Sequence, residues 1–199
     1  MGISAIVLAS GYSKRMGRDK LLLEYKGKPM IQWILETINR CDFSEKILVT
    51  RRKEIVQMGE KLNLKVIINN DAYRGQSQAV RSGTENSSAG NDLMFFVGDQ
   101  PLMNTDAIRI LIDEFQKSPG KIIVPTVKGE RKNPVIFPEK FREELMDSEG
   151  DEGGRRVIRD HLDSLKCIEF NDGSVFKDID NMEEYQELLT EGDFRWKDM

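Results

Sequence analysis

At 199 residues, with 39% apolar and 32% charged residues, the chain has enough apolar content to close one α/β core and too much to stay disordered. A formal charge of −4 argues against general nucleic-acid binding, and no apolar run approaches the ~20 residues that span a bilayer. The first apolar run is short with no basic region before it, so no signal peptide is expected. Cys41 and Cys167 form no C-x-x-C pair and suit free thiols in a reducing cytoplasm. His161, the single histidine, has no Cys/His cluster around it and reads as an ordinary helix residue.

In chain order, Ile3 to Ala9 is an apolar run suited to a buried parallel strand. It breaks into Ser10-Gly11-Tyr12-Ser13-Lys14-Arg15-Met16-Gly17-Arg18-Asp19-Lys20. Glycines at 11 and 17 let backbone approach a ligand closely, and backbone amides beside fixed cations form a cradle for phosphates. From Lys14 to Lys28 six Lys or Arg face two acids, a local charge of +4 in an acidic chain. Walker A is excluded because five residues separate the glycines and Arg18 follows. The dinucleotide fingerprint is excluded because Ser13 stands where its second glycine belongs.

After Pro29, Ile31, Ile34, Leu35 and Ile38 recur at helical spacing, with Trp33 widening the apolar face. Lys46 to Thr50 reads as a strand, Glu54 to Leu62 as a helix and Val66 to Ile68 as a strand. Gly75 to Gly83 opens a further helix. Asp92 to Val97 is a strand ending in Gly98-Asp99-Gln100-Pro101, followed by a helix carrying Ile108, Leu111, Ile112 and Phe115. Ile122 to Val124 is the next strand, Val127 to Lys132 a polar loop, Pro134 to Phe137 a strand, and Lys140 to Met146 a helix. Lys166 to Phe170 is a strand before Asp178-Ile179-Asp180 and a last helix with Tyr185 and Leu188. This alternation predicts one α/β domain over residues 1–190, a three-layer sandwich around a mostly parallel sheet, with a tail from Glu191 to Met199. Ligands of such sheets bind beyond the carboxyl ends of the strands, where both the Gly11 turn and Asp99 fall. Asp99 alone could be a helix cap. Beside a phosphate loop, it could hold a divalent metal between itself and a triphosphate.

The first turn resembles the signature of the nucleotidyltransferase superfamily, L-A-[AG]-G-x-S-x-R-M-G-x-x-K, through Leu8, Ala9, Gly11, Ser13, Arg15, Met16, Gly17 and Lys20. Gly98-Asp99-Gln100-Pro101, Asn133-Pro134-Val135-Ile136-Phe137, Gly150-Asp151-Glu152-Gly153-Gly154-Arg155 and Asp178-Ile179-Asp180 are similar to later motifs of its molybdenum cofactor branch. Gln100 resembles the cytidylyl group, whereas the guanylyl group usually has Met there. Ser10 stands where these groups carry Ala and Gly respectively, and Asn181-Met182 replace a Thr-Pro pair.

The resemblance implies a Rossmann-like nucleotide-diphospho-sugar transferase fold and transfer of CMP from CTP to the terminal phosphate of molybdopterin, releasing pyrophosphate. It implies Arg15 and Lys20 on the triphosphate, and nucleotide contacts at Leu8, Ala9, Ser10, Gly11, Ser13, Gln76 and Ser77. It further implies Mg²⁺ on Asp99 and Asp180, Asn133 and Asp151 on the acceptor side, and a molybdenum hydroxylase as recipient. For Asp180 a local alternative stands: Asn181 and Glu184 form a capping box for the last helix and Asp180 merely precedes it. Asp178 is the reserve metal ligand. The other functional readings are a guanylyltransferase, a sugar- or polyol-phosphate nucleotidyltransferase, and a non-catalytic cofactor-binding partner of a hydroxylase.

Overall fold

The computed structural model describes residues 2–12, 19–150 and 152–194. Its strands in chain order are β1 (Ile3–Ala9), β2 (Glu24–Tyr25), β3 (Lys28–Pro29), β4 (Glu45–Thr50), β5 (Lys65–Ile68), β6 (Asp92–Val97), β7 (Ile122–Val127), β8 (Glu130–Arg131), β9 (Val135–Phe137) and β10 (Leu165–Glu169). The helices are α1 (Met30–Asn39), α2 (Lys53–Lys61), α3 (Gln76–Glu85), α4 (Thr105–Gln116), α5 (Arg142–Met146), α6 (Gly154–Asp160) and α7 (Met182–Phe194).

Among the described residues the main sheet runs β10-β7-β9-β6-β1-β4-β5, with β8 on the side of β7. The β1–β4, β1–β6, β4–β5 and β7–β10 pairs are parallel, and β9 is antiparallel to both of its neighbours. The expected mostly parallel sheet is therefore present, with one reversed strand inserted between β6 and β7.

The strand pleat explains why β1 is an unbroken apolar run. Ala5, Val7 and Ala9 face one side and Ile6 with Leu8 the other, and both sides are covered. On the first face Met94 and Phe96 of β6 meet α1 and α4 through Ile34, Leu35, Ile108 and Leu111. On the second, Leu93 and Phe95 meet α3, α5 and α6 through Ala79, Val80, Leu145 and Val157. A smaller cluster joins Tyr25 and Met30 to Ile179 and Leu188, so α7 packs on the β2–β3 hairpin.

The structure departs from the sequence reading in two places and adds a helix not expected there. Val127 to Lys132 is not a plain loop: β7 extends to Val127 and pairs with β8 through Thr126–Arg131 and Val127–Glu130. The polar side chains belong to an edge hairpin, which exposes them. Helix α6 was not legible because two glycines open it and its apolar stripe is only Val157 and Ile158. Helix α7 continues to Phe194, into the segment expected as a tail; residues 195–199 lie outside the described residues. His161 sits at the end of α6, 2.7 Å from Glu144 and against the Phe141 ring, a packing role.

Helix α3 lies close on the sheet because Gly83 has no side chain: a Cβ there would come within 2.4 Å of Ile6 Cγ2. In an exposed helix Gly→Ala gains up to about 1 kcal/mol. Here overpacking, which costs about 1–3 kcal/mol, wins because Ile6 is fully buried and cannot yield. Gly83→Ala is therefore expected to lower the urea midpoint, and a raised midpoint would show that the α3–β1 contact is looser than this.

Candidate active site

Register sets the site. Ala9 of β1 pairs with Thr50 of β4, and Leu8 pairs with Val97 of β6. The residues that follow, Ser10 to Tyr12, Arg51 with Arg52, and Gly98 with Asp99, therefore leave the sheet side by side at its carboxyl edge. The ends of β1 and β6 border a cleft of about 820 Å³ whose walls include Leu8, Ala9, Ser10, Gly11, Tyr12 and Gln76, with Lys20, Asp99 and Asp180 together.

Lys20 lies between two carboxylates, its Nζ 2.5 Å from Asp99 Oδ2 and 2.7 Å from Asp180 Oδ1. Burial alone would lower the lysine pKa, but the Asp99 charge and the hydrogen bonds to Asp180 and Asp99 outweigh it and hold the pKa above the ordinary value. The ammonium is thus fully charged at neutral pH. Asp180 arrives because the Ile179 amide donates to the Asp99 carbonyl at 3.1 Å and Ile179 is fully buried. The carboxylates on either side of that anchor take different partners. Asp180 accepts from Lys20, and Asp178 accepts from Gln100 Nε2 at 2.9 Å.

Gln100 is fully buried and ties three segments together, donating also to the carbonyls of Phe176 (3.1 Å) and Asn133 (3.3 Å). The Asp178 carboxyl is pushed up to about 6 by burial and by the neighbouring Asp99 charge, only partly offset by the Gln100 hydrogen bond. The Oδ1 atom of Asp99 is buried and has no hydrogen-bond partner among the described residues. A carboxylate oxygen in that state fits an added cation.

The far side of the first turn is held by donors from the end of β4. The Thr50 hydroxyl donates to the Ala9 carbonyl at 3.1 Å, and Arg51 Nε donates to the Ser10 carbonyl at 3.2 Å. Arg52 donates to Gly11 O at 2.6 Å and to Ala9 O at 3.4 Å, and its guanidinium is ion-paired with Asp19. Asp19 in turn accepts from the Leu21 amide at the start of the short turn that carries Lys20.

Of the residues singled out in the sequence, Leu8, Ala9, Ser10, Gly11, Lys20, Gln76, Asp99 and Asp180 meet on one cleft. Ser77 does not reach its wall: it is fully buried and its hydroxyl donates to Gly150 O at 2.6 Å. Asn133 also stands off the cleft lining and meets the site through its backbone carbonyl. Ser13, Arg15 and Asp151 lie outside the described residues. Asp99 is not a helix cap, since Asn104 caps α4. The local reading at Asp180 holds alongside its Lys20 pair: Asn181 Oδ1 accepts from the Glu184 amide and Glu184 accepts from the amides of Asp180 and Asn181. Sequence reasoning missed Arg51, Arg52, Tyr73 and Arg74. Arg51 and Arg52 directly follow the parallel strand β4, the position from which a side chain meets a neighbouring strand's loop.

The MobA-like NTP transferase domain family matches residues 5–165. A probable molybdenum cofactor guanylyltransferase from Natranaerobius thermophilus is 32% identical over 128 residues, covering 64% of this chain and 62% of that protein. The purine catabolism protein PucB of Bacillus subtilis is 29% identical over 197 residues, covering 90% of this chain and 92% of its own. A nucleotidyl transferase from Methanothermobacter superimposes with a TM-score of 0.82 at 18% identity, covering 96% of this chain and 97% of that one, which shows the shared fold. The strand order, the cleft at the carboxyl edge and the match over residues 5–165 agree, and the chain belongs to the family of MobA-like NTP transferase domains, as a nucleotidyltransferase.

Proposed function

We propose that the chain transfers a nucleoside monophosphate from a nucleoside triphosphate to the terminal phosphate of molybdopterin, releasing pyrophosphate. The observation that carries this reading is the convergence of the Ser10–Tyr12 turn with Lys20, Asp99 and Asp180 on one cleft. An acceptor phosphate oxygen forms a bond to the α-phosphorus while the bond from that phosphorus to the β-bridging oxygen breaks. Pyrophosphate leaves with the electron pair. No covalent enzyme intermediate is needed, so the chain's task is to position two anions and neutralise charge on the leaving oxygen. Backbone amides of the Gly11 turn suit the phosphates. Lys20 supplies a fixed positive charge.

In this reading Asp99 and Asp180 hold Mg²⁺, a hard cation content with one or two carboxylates plus phosphate oxygens, and the ion supplies charge neutralisation on the triphosphate. What supports it is the buried Oδ1 of Asp99, unpartnered among the described residues, on the same cleft as the Asp180 carboxylate. For the base, CTP follows from the motif resemblance at Gln100. GTP is the second reading, favoured by the name of the Natranaerobius relative. The reach of the reading to a molybdenum hydroxylase rests on the same resemblance. No helix among the described residues is long and apolar enough to cross a membrane.

The direct test incubates the protein with Mg²⁺, molybdopterin and each of CTP, GTP, ATP and UTP, and follows pyrophosphate. The highest kcat/KM is expected with CTP. A higher value with GTP moves the assignment to guanylyl transfer, and no release with any of the four removes molybdopterin as the acceptor.

Lys20→Ala is expected to lower turnover about 10²–10³-fold, the usual cost of one preorganised electrostatic contact, with the fold retained. Near-normal turnover would take Lys20 out of the reaction.

The third expectation concerns pH in magnesium-free buffer. Asp178 binds its proton more tightly when folded, near pH 6, than when unfolded, near 3.8, so its contribution to stability falls as pH rises between those values. Asp178→Asn removes that loss and keeps an acceptor for Gln100. Its melting temperature relative to wild type should rise from pH 4 to pH 6 and stay level above. A constant difference across that range would show that Asp178 titrates normally.

A further inference from the structure

In a planar trans peptide the carbonyl and the following amide point in opposite directions. The carbonyls of three consecutive residues, Ala9, Ser10 and Gly11, are all taken by donors from the end of β4. The amides of Ser10, Gly11 and Tyr12 are therefore directed to the other side, and these three residues form a wall of the cleft. Arg52 is the hub of this arrangement. It is 7% exposed, it reaches both the Ala9 and Gly11 carbonyls, and it is ion-paired with Asp19. Through Asp19 it also meets the turn bearing Lys20.

We propose that Arg52 is a positioning residue for phosphate binding: by drawing the Ala9 and Gly11 carbonyls and the Asp19 carboxylate to one side, it aims the backbone amides of residues 10–12 and the Lys20 turn at the ligand. This role rests on the nucleotide reading of the cleft and adds to it the residue that sets the geometry. A guanidinium is needed because its N–H groups form a fixed planar fork that meets two carbonyls and a carboxylate at once. Lysine would keep the charge but offers its donors from a single atom, so it cannot span the same three acceptors. The role is also distinct from simple attraction of anions, since the guanidinium is engaged by the Ala9 and Gly11 carbonyls and by Asp19.

The test measures binding of magnesium pyrophosphate and of magnesium CTP by calorimetry, with melting temperatures, for wild type, Arg52→Lys, Asp19→Asn and the double variant. Pyrophosphate isolates the phosphate contacts from the base. Arg52→Lys should weaken pyrophosphate about tenfold or more, as misplaced contacts do, and weaken CTP by a similar factor, at temperatures where the variant is fully folded. Asp19→Asn should act in the same direction, and the double variant should fall well short of the product of the two losses, because both act through one ion pair. Wild-type affinity in Arg52→Lys, or a loss that disappears once the protein is held below its melting transition, overturns the proposal; so does full additivity. If Arg52→Lys does not fold, Asp19→Asn, which breaks the Arg52 ion pair and keeps an acceptor for the Leu21 amide, carries the same comparison. Failure of the wild-type chain to bind either ligand would instead remove the nucleotide reading, and this role with it.

Discussion

The ammonium of Lys20 stands 2.5 Å from Asp99 and 2.7 Å from Asp180, and the site depends on that charge. Two carboxylates close together near a protein surface repel with an energy on the order of 4 kcal/mol at 4 Å. Asp178 adds a third, and burial, with the Asp99 charge second, pushes its pKa up to about 6. One cation shared between Asp99 and Asp180 offsets the repulsion and closes contacts between residues 79 and 160 positions apart in the chain. The pair with Asp180 is the weaker partner in stability terms, because that side chain is 42% exposed and solvent screens it. The pair with Asp99 is more enclosed, at 17% exposure, and fixes the end of β6 against the first turn.

The fold delivers these groups by leaving one edge open. Helices cover both faces of the sheet, so only strand ends are available to a ligand, and the parallel ladders bring the ends of β1, β4 and β6 level. The reversed strand β9 contributes differently: entering beside β6 from the opposite direction, it leaves the Asn133 carbonyl within reach of Gln100. Helix α7 then secures the last carboxylate. Leu188 and Ile179 share a small core with Tyr25 and Met30, and Tyr185 donates to the Glu24 carbonyl at 2.6 Å. The order of events in space thus runs from sheet register, to strand ends, to an anchored isoleucine with an acid on each side.

What the sequence made legible was whatever has a local cause. Strand β1 announces itself by an unbroken apolar run, α1 and α4 by their stripes, and the glycine turn by its composition. Lys20, Asp99 and Asp180 were each visible as motif residues, and the fold brings them together on one cleft. Helix α6 and the β7–β8 hairpin were not legible, because their stability comes from packing and edge pairing rather than from periodicity. Arg52 was missed for a related reason. Two arginines after a strand look like a solvated surface, and only the pairing of Ala9 with Thr50 reveals that the second lies beneath the first turn. Ser77 was the opposite case: a small polar residue in a glycine-rich helix start resembles a ligand contact, yet its hydroxyl is spent on Gly150.

Gln100 is a motif residue that stands behind the cleft and not on its wall. The side chain is fully buried and its amide donates to Asp178 and to the carbonyls of Phe176 and Asn133, so it is an internal brace and not a wall of the cleft. Methionine, which resembles the guanylyl pattern at this place, has no donor to give. A chain carrying it would leave two carbonyls and the Asp178 carboxylate without this partner and must hold the segment around residues 176–180 by other contacts. That segment carries Asp180, and the neighbouring brace reaches the approach to β9. Exchange of this one residue therefore removes the brace that joins residues 133, 176 and 178 next to the acid at position 180. Any link between position 100 and the preferred base runs through the backbone that Gln100 organises, not through a hydrogen bond to the base.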